Sequence, residues 1–99
     1  MTAFLIVKAK VPNNLIKTFD KWYKKNHLTE AHMNFKSISS FRGWINKNEH
    51  HAFYQFKDLS TANKILDSKE LKLMINKFDK KWLGKVSRSR ELIEIIQTI

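Results

Sequence analysis

Proton transfer, oxyanion binding and metal ligation all need particular side chains, and this 99-residue chain offers four His, three Arg and nine carboxylates for them, with no Cys. The absence of cysteine excludes a disulfide framework, a zinc ribbon and thiol catalysis. No Gly-rich phosphate loop and no Ser or Cys nucleophile motif occurs, which argues against nucleotide hydrolysis and acyl transfer by those routes. His32, His50 and His51 do not form a metal pattern. There is no His-x-x-x-His pair on a helix, adjacent strand residues such as His50 and His51 point to opposite faces, and no carboxylate cluster accompanies them. Neither a metal nor another cofactor is expected.

His27 is the leading candidate for chemistry. It falls at the carboxyl end of the first predicted helix, where the helix dipole favours a protonated imidazole that can still exchange its proton near neutral pH. That suits a general acid or base; the plainer alternative is a cap residue that satisfies the last carbonyls. Tyr23, one turn earlier, can orient His27 or lend a hydroxyl to a ligand, and Trp22 can wall a pocket, although both spacings also serve ordinary core packing. Arg42, one of three arginines, has a planar fork suited to a carboxylate or enolate oxygen, but an exposed strand arginine reads the same way. Trp44, Phe53 and Trp82 supply flat apolar surface that could enclose an aromatic or polyketide-like molecule, or simply fill a core. Glu94 interrupts an apolar strand, facing either solvent or inward.

The elements that must position these groups follow from local pattern. Residues 3–11, rich in β-formers and ended by Pro12, predict a first strand with Ala3, Leu5, Val7, Ala9 and Val11 on one face. Asn13 or Asn14 is a candidate N-cap for a helix whose stripe is Leu15, Ile16, Phe19, Trp22 and Tyr23, with lysines opposite. Leu28 to Asn34 reads as a connection. Phe35 to Ile45 predicts a second strand, bulged at Gly43, and His51 to Lys57 a third, joined as a hairpin by the polar turn Asn46 to Glu49. Ser60 to Leu66 predicts a short helix. Asp67 with Glu70 has the form of a capping box that starts a longer one, with Leu71, Met74, Ile75, Phe78 and Trp82 on its face and Gly84 as its stop. A last strand is expected within Val86 to Ile99, strongest over Leu92 to Ile96.

Length leaves room for one core, so residues 1–99 are expected to form a single domain. The net charge of +10 invites a nucleic-acid partner. Its sixteen lysines, however, are spread over every segment, the pattern of solvated helix faces, and a nucleic-acid partner is not expected. No run approaches the length of a membrane helix and the first apolar run is too short for a signal peptide, so a cytoplasmic protein without a membrane partner is expected.

The element order predicts an α+β fold of the ferredoxin-like βαββαβ kind, a four-stranded antiparallel sheet with both helices on one side. Two helices cover one face only. Phe4 and Ile6 in the first strand, Phe53 against Tyr54 and Phe56 in the third, and Leu92 and Ile96 against Ile93 and Ile95 in the last leave apolar groups on the far face whichever way the sheet turns. Such a patch marks an interaction site. A second copy of the sheet would close it into a dimeric α/β barrel.

The segment FDKWYKKNHLTEAH, with this element order, resembles the dimeric α/β-barrel superfamily, in particular its EthD-like branch and the antibiotic-biosynthesis-monooxygenase relatives. The matching residues are Trp22, Tyr23, His27, Leu28 and Glu30, then Arg42 with Trp44, then Tyr54 and Asp58. Thr29 stands where a proline is common and Asn34 where a glycine often precedes the second strand. The resemblance implies a homodimer with a cavity between each sheet and its helices or loops, used by members for cofactor-free oxygenation, cyclisation, haem handling or simple binding. Fold alone does not choose among these.

Three functions are therefore weighed. The first is a protein that binds a small hydrophobic or aromatic ligand, as a cofactor-independent monooxygenase, cyclase or isomerase. His27 would handle protons, Tyr23 and Arg42 position polar groups, and Trp22, Trp44, Phe53 and Trp82 line the pocket. The second is a single-stranded RNA-binding module, whose third-strand signature is half imitated by Ala52 to Phe56, although Glu49, His50 and His51 replace its basic-Gly-aromatic lead. The third is a non-enzymatic dimeric interaction domain.

Overall fold

The computed structural model describes all 99 residues. Strand β1 (Ala3–Lys10) leads through a short 3-10 turn (Asn13–Leu15) into helix α1 (Ile16–Trp22), a π-helical turn (Tyr23–His27) and helix α2 (Leu28–Phe35). Strands β2 (Ser40–Asn46) and β3 (Glu49–Phe56), helices α3 (Leu59–Leu66) and α4 (Lys69–Trp82), and strand β4 (Ser87–Glu94) complete the chain. The sheet runs β2-β3-β1-β4 and every pairing is antiparallel, with Val7 opposite Ala52 and Arg90 in the centre. This is the α+β, ferredoxin-like arrangement expected from the element order.

Burial follows strand alternation. Ala3, Leu5, Ala9 and Val11 of the first strand segment, with His50, Ala52, Tyr54 and Phe56 of β3, are sealed under the helices. Phe19, Tyr23, Phe78 and Trp82 close the layer from above as a continuous aromatic block, Phe19 lying 5.2 Å from Tyr23 and 5.3 Å from Trp82 between ring centres. The open face carries Phe4, Phe41 and Phe53, with Phe41 stacked on Phe53 at 4.9 Å. Phe41 and Ile93 remain 48% and 45% exposed, so apolar groups do lie on both faces.

Several elements differ from expectation. Leu28 to Asn34 is helix, not connection, and Phe35 ends α2 instead of starting β2. The N–H of Leu28 donates to the carbonyl of Tyr23 five residues back, so the helix continues through a wide turn. The reason lies in the spacing of Phe19, Tyr23, His27, Ala31 and Phe35, all buried at intervals of four. In a regular α-helix that spacing drifts around the axis by about 160° over its length, and one extra residue taken into a π turn removes about 100° of it. Helix α4 is capped by Ser68, whose hydroxyl accepts from the Leu71 N–H, not by Asp67, which closes α3. No Asn caps α1; Asn13 instead accepts from Asn48 and ties the β2–β3 turn to the end of β1. The irregularity in β2 falls between Trp44 and Asn46, past Gly43, and β4 ends at Glu94, which is exposed.

Candidate functional site

The wide turn decides which side chains reach the interior. It turns Tyr23 and His27 toward the sheet, where they meet Tyr54 of β3, Arg88 and Arg90 of β4, and the apolar face of α4. Together these line a narrow cleft between the helices and the sheet, open to solvent on one side and closely packed within. Ala31, Phe35, Leu71, Met74, Ile75 and Phe78 make most of its wall.

His27 is buried and its ring stacks on Trp22 at 4.3 Å between centres, with Tyr23 edge-on at 4.9 Å. It also lines a second depression, opening outward between Trp22, Asn26, Glu30, Lys77, Lys80 and Lys81. The imidazole is therefore the wall between cleft and surface. Neither ring nitrogen is sealed from solvent without a partner, as those of truly orphaned groups are, and no protein group hydrogen-bonds the ring. Burial, then the positive charges of Arg88 and Lys77, push His27 down to about 4, against the opposing pull of Glu30. The helix-end argument for a protonated imidazole fails because the helix does not end there: the dipole's negative pole lies two turns on, beyond Phe35, and burial decides. At neutral pH His27 is a neutral acceptor.

Tyr23 faces Tyr54, and burial drives its phenol up to about 12 and that of Tyr54 well above the usual range. Both stay protonated, hydroxyl donors and not anions. Arg88 lies over Phe78, 4.3 Å from its centre, and donates to Asp79 at 3.2 Å. Arg90 lines the same cleft and enters no ion pair.

Of the residues singled out by sequence, Tyr23 and His27 come together in the cleft and Trp22 backs His27. The others do not join them. Arg42 lies one layer behind Tyr23, its guanidinium 5.7 Å from that ring, and donates to the Asp20 carboxylate at 2.7 Å. Trp44 donates to the same carboxylate at 2.9 Å, and these two bonds hold Asp20 below the ordinary carboxylate range. Trp82 is buried in the core and Phe53 lies on the opposite face of the sheet, so neither walls this cleft. Sequence reasoning missed Arg88, Arg90 and Asp20, and weighed His50 only as a metal ligand. Its one available signal was that Arg is rare here, three against sixteen Lys, and that Arg88 and Arg90 alternate with serines.

His50 accepts from Arg42 at 3.3 Å through Nε2, which leaves the proton on Nδ1, buried without a partner among Phe19, Tyr23 and Trp44. Burial and Arg42 push it to about 4. His51 faces the other way and pairs with Glu49. No three His, Asp or Glu side chains gather where they could hold one metal ion. No helix is long and apolar enough to cross a membrane.

No family model matches the chain, and no curated protein matches it by sequence. Solved structures do. An EthD (ethyl tert-butyl ether D) family protein from Bacillus halodurans superposes with a TM-score of 0.75 at 14% identity, over 97% of this chain and 100% of that one. SnoaB, a cofactor-independent oxygenase from Streptomyces nogalater, gives 0.66 at 10% identity, over 99% and 96%. A dimeric ferredoxin-like protein from an uncultured marine organism gives 0.62 at 8%, over 99% and 98%. The chain therefore has the ferredoxin-like fold that these solved structures share.

Proposed function

We propose that the protein binds a small, largely apolar molecule in the cleft between the helices and the sheet, and that His27 moves a proton on it. The observation that carries this reading is the setting of His27: a neutral imidazole with no protein partner for its ring, standing between an apolar cleft and the surface. Apolar walls with a few convergent polar groups are the usual character of a small-molecule site.

The chemistry that fits is removal of a proton from a carbon beside a carbonyl. The C–H proton passes to a free nitrogen of His27 and the electron pair moves into an enolate. The hydroxyls of Tyr23 and Tyr54 are both kept protonated and hydrogen-bond each other, which leaves one proton of the pair to donate to its oxygen. The enolate can take its proton back at another carbon or close a ring. With dioxygen as co-substrate it can form a carbon–oxygen bond, the class of activity named for SnoaB. Exchange of acidic C–H protons in D₂O, followed by NMR over a panel of 1,3-diketones and hydroxyquinones, tests the reading. His27→Ala is expected to lower catalysed exchange by about 100-fold, the usual contribution of one general base, while binding persists. Unchanged exchange in His27→Ala removes the assignment.

We further infer a homodimer formed through the open sheet face, because Phe4, Phe41, Phe53 and Ile93 make an apolar island there with no cover within the chain.

A further inference from the structure

We propose that the cleft selects a carboxylate-bearing ligand, an apolar or aromatic body whose negative end is met by Arg90, with Arg88 beside it. The inference rests on the small-molecule reading above and names the chemical class that the site takes.

Placement is the first ground. Only three of nineteen basic residues are arginine, and all three lie on the helix side of the sheet. Arg42 is already tied to Asp20 and Arg88 to Asp79. Arg90 alone has no acidic partner, although it is only partly exposed and stands two residues from Arg88 on the same strand face. Two like charges on one edge of an apolar cleft are unfavourable unless a counter-charge arrives.

The lining is the second ground. Among its twelve residues there is no Asp or Glu, nine are hydrophobic, and His27 is neutral. Every charge that faces the cleft is a guanidinium. Asp79 of α4 is close enough to act on Arg90, but its Oδ1 accepts from Arg88, and Glu30 stands on the outer side of His27. An anion is thus the complement that the site lacks, and the guanidinium fork fits a planar carboxylate where an ammonium would offer only a point charge. The competing account is that Arg90 lays its stem along the wall and keeps its head in water, serving no ligand.

Cinnamate and cinnamamide separate these accounts, since they share a shape and differ in charge. Isothermal titration of the full chain at pH 7.5 is expected to give cinnamate a Kd about tenfold lower than cinnamamide, the size of one charge-assisted contact in a partly open site. Raised salt should narrow the gap. In Arg90→Gln the gap is expected to fall below about threefold, and Arg90→Lys should fall between. Equal affinities on the native protein, or a preference unmoved by Arg90→Gln, overturn the inference and leave the small-molecule reading standing. Failure of both compounds to bind removes that reading and the inference together. If Arg90→Gln does not fold, the native ratio with the salt response of Arg90→Lys decides the matter.

Discussion

At the scale of the residue, burial outweighs the helix dipole. His27 and His50 are both held near 4, below the ordinary value of 6.5, because each would have to lose water to be charged. The folded state therefore binds fewer protons than the unfolded chain between the two values. Stability is complete above about pH 6.5 and declines as pH falls toward 4. Urea unfolding at pH 7 and pH 5 is expected to differ by about 4 kcal/mol, and His50→Gln, which keeps an acceptor for Arg42 but cannot titrate, should remove roughly half of that. A flat profile between those pH values would show that the imidazoles are not held neutral. Arg42, tied to Asp20 behind the cleft, belongs to the scaffold. Arg42→Lys is expected to lower stability by about 1 kcal/mol in urea titrations while leaving cinnamamide affinity unchanged. His27 and Tyr23 were legible in the sequence because a helical stripe brings i and i+4 together. Arg88 and Arg90 were not. A run of Ser-Arg-Ser-Arg looks like any solvated strand, and only the register that sets Arg90 opposite Val7 turns it toward the helices.

At the scale of the element, strands and their order were readable from alternation and turn chemistry, whereas the boundaries depended on partners. Strand β4 ends at Glu94 because β1 begins opposite it at Ala3, so the apolar Ile95 and Ile96 have no longer ladder to join beyond one bond from the Ile95 N–H to Thr2. Helix α2 was hidden by its own phase. A stripe spaced at four breaks the 3.6-residue pattern, and a reader following that pattern stops at His27. If the π turn exists to absorb one extra residue, deletion of the exposed Asn26 should give a regular helix with Phe19, Tyr23, His27, Ala31 and Phe35 still buried. Thermal unfolding followed by circular dichroism is expected to keep its cooperativity, with Tm within about 5 °C of the native protein. Collapse of the transition would mean that the turn is built in by the surrounding packing.

At the scale of the molecule, the single helical layer leaves one side of the sheet without a lid, and this was legible from side-chain alternation alone. The open face sets Phe41 on Phe53 beside the ion pairs Lys8–Glu91 and Glu49–His51. The proposed homodimer predicts a native dimer by light scattering and a monomer for Phe53→Glu at the same concentration, because each pairing would bury two uncompensated carboxylates. The identity of the cleft was not legible, since it is assembled from the π turn, two strands and α4, segments distant in the chain. Its occupation by a small molecule is the claim on which the rest depends. Chemical-shift mapping of isotope-labelled protein with neutral cinnamamide tests it most directly. The expected result is saturable shifts at Tyr23, His27, Tyr54 and Arg90, with Lys8 and Phe53 unmoved. Shifts confined to the open sheet face, or none at millimolar ligand, would contradict it.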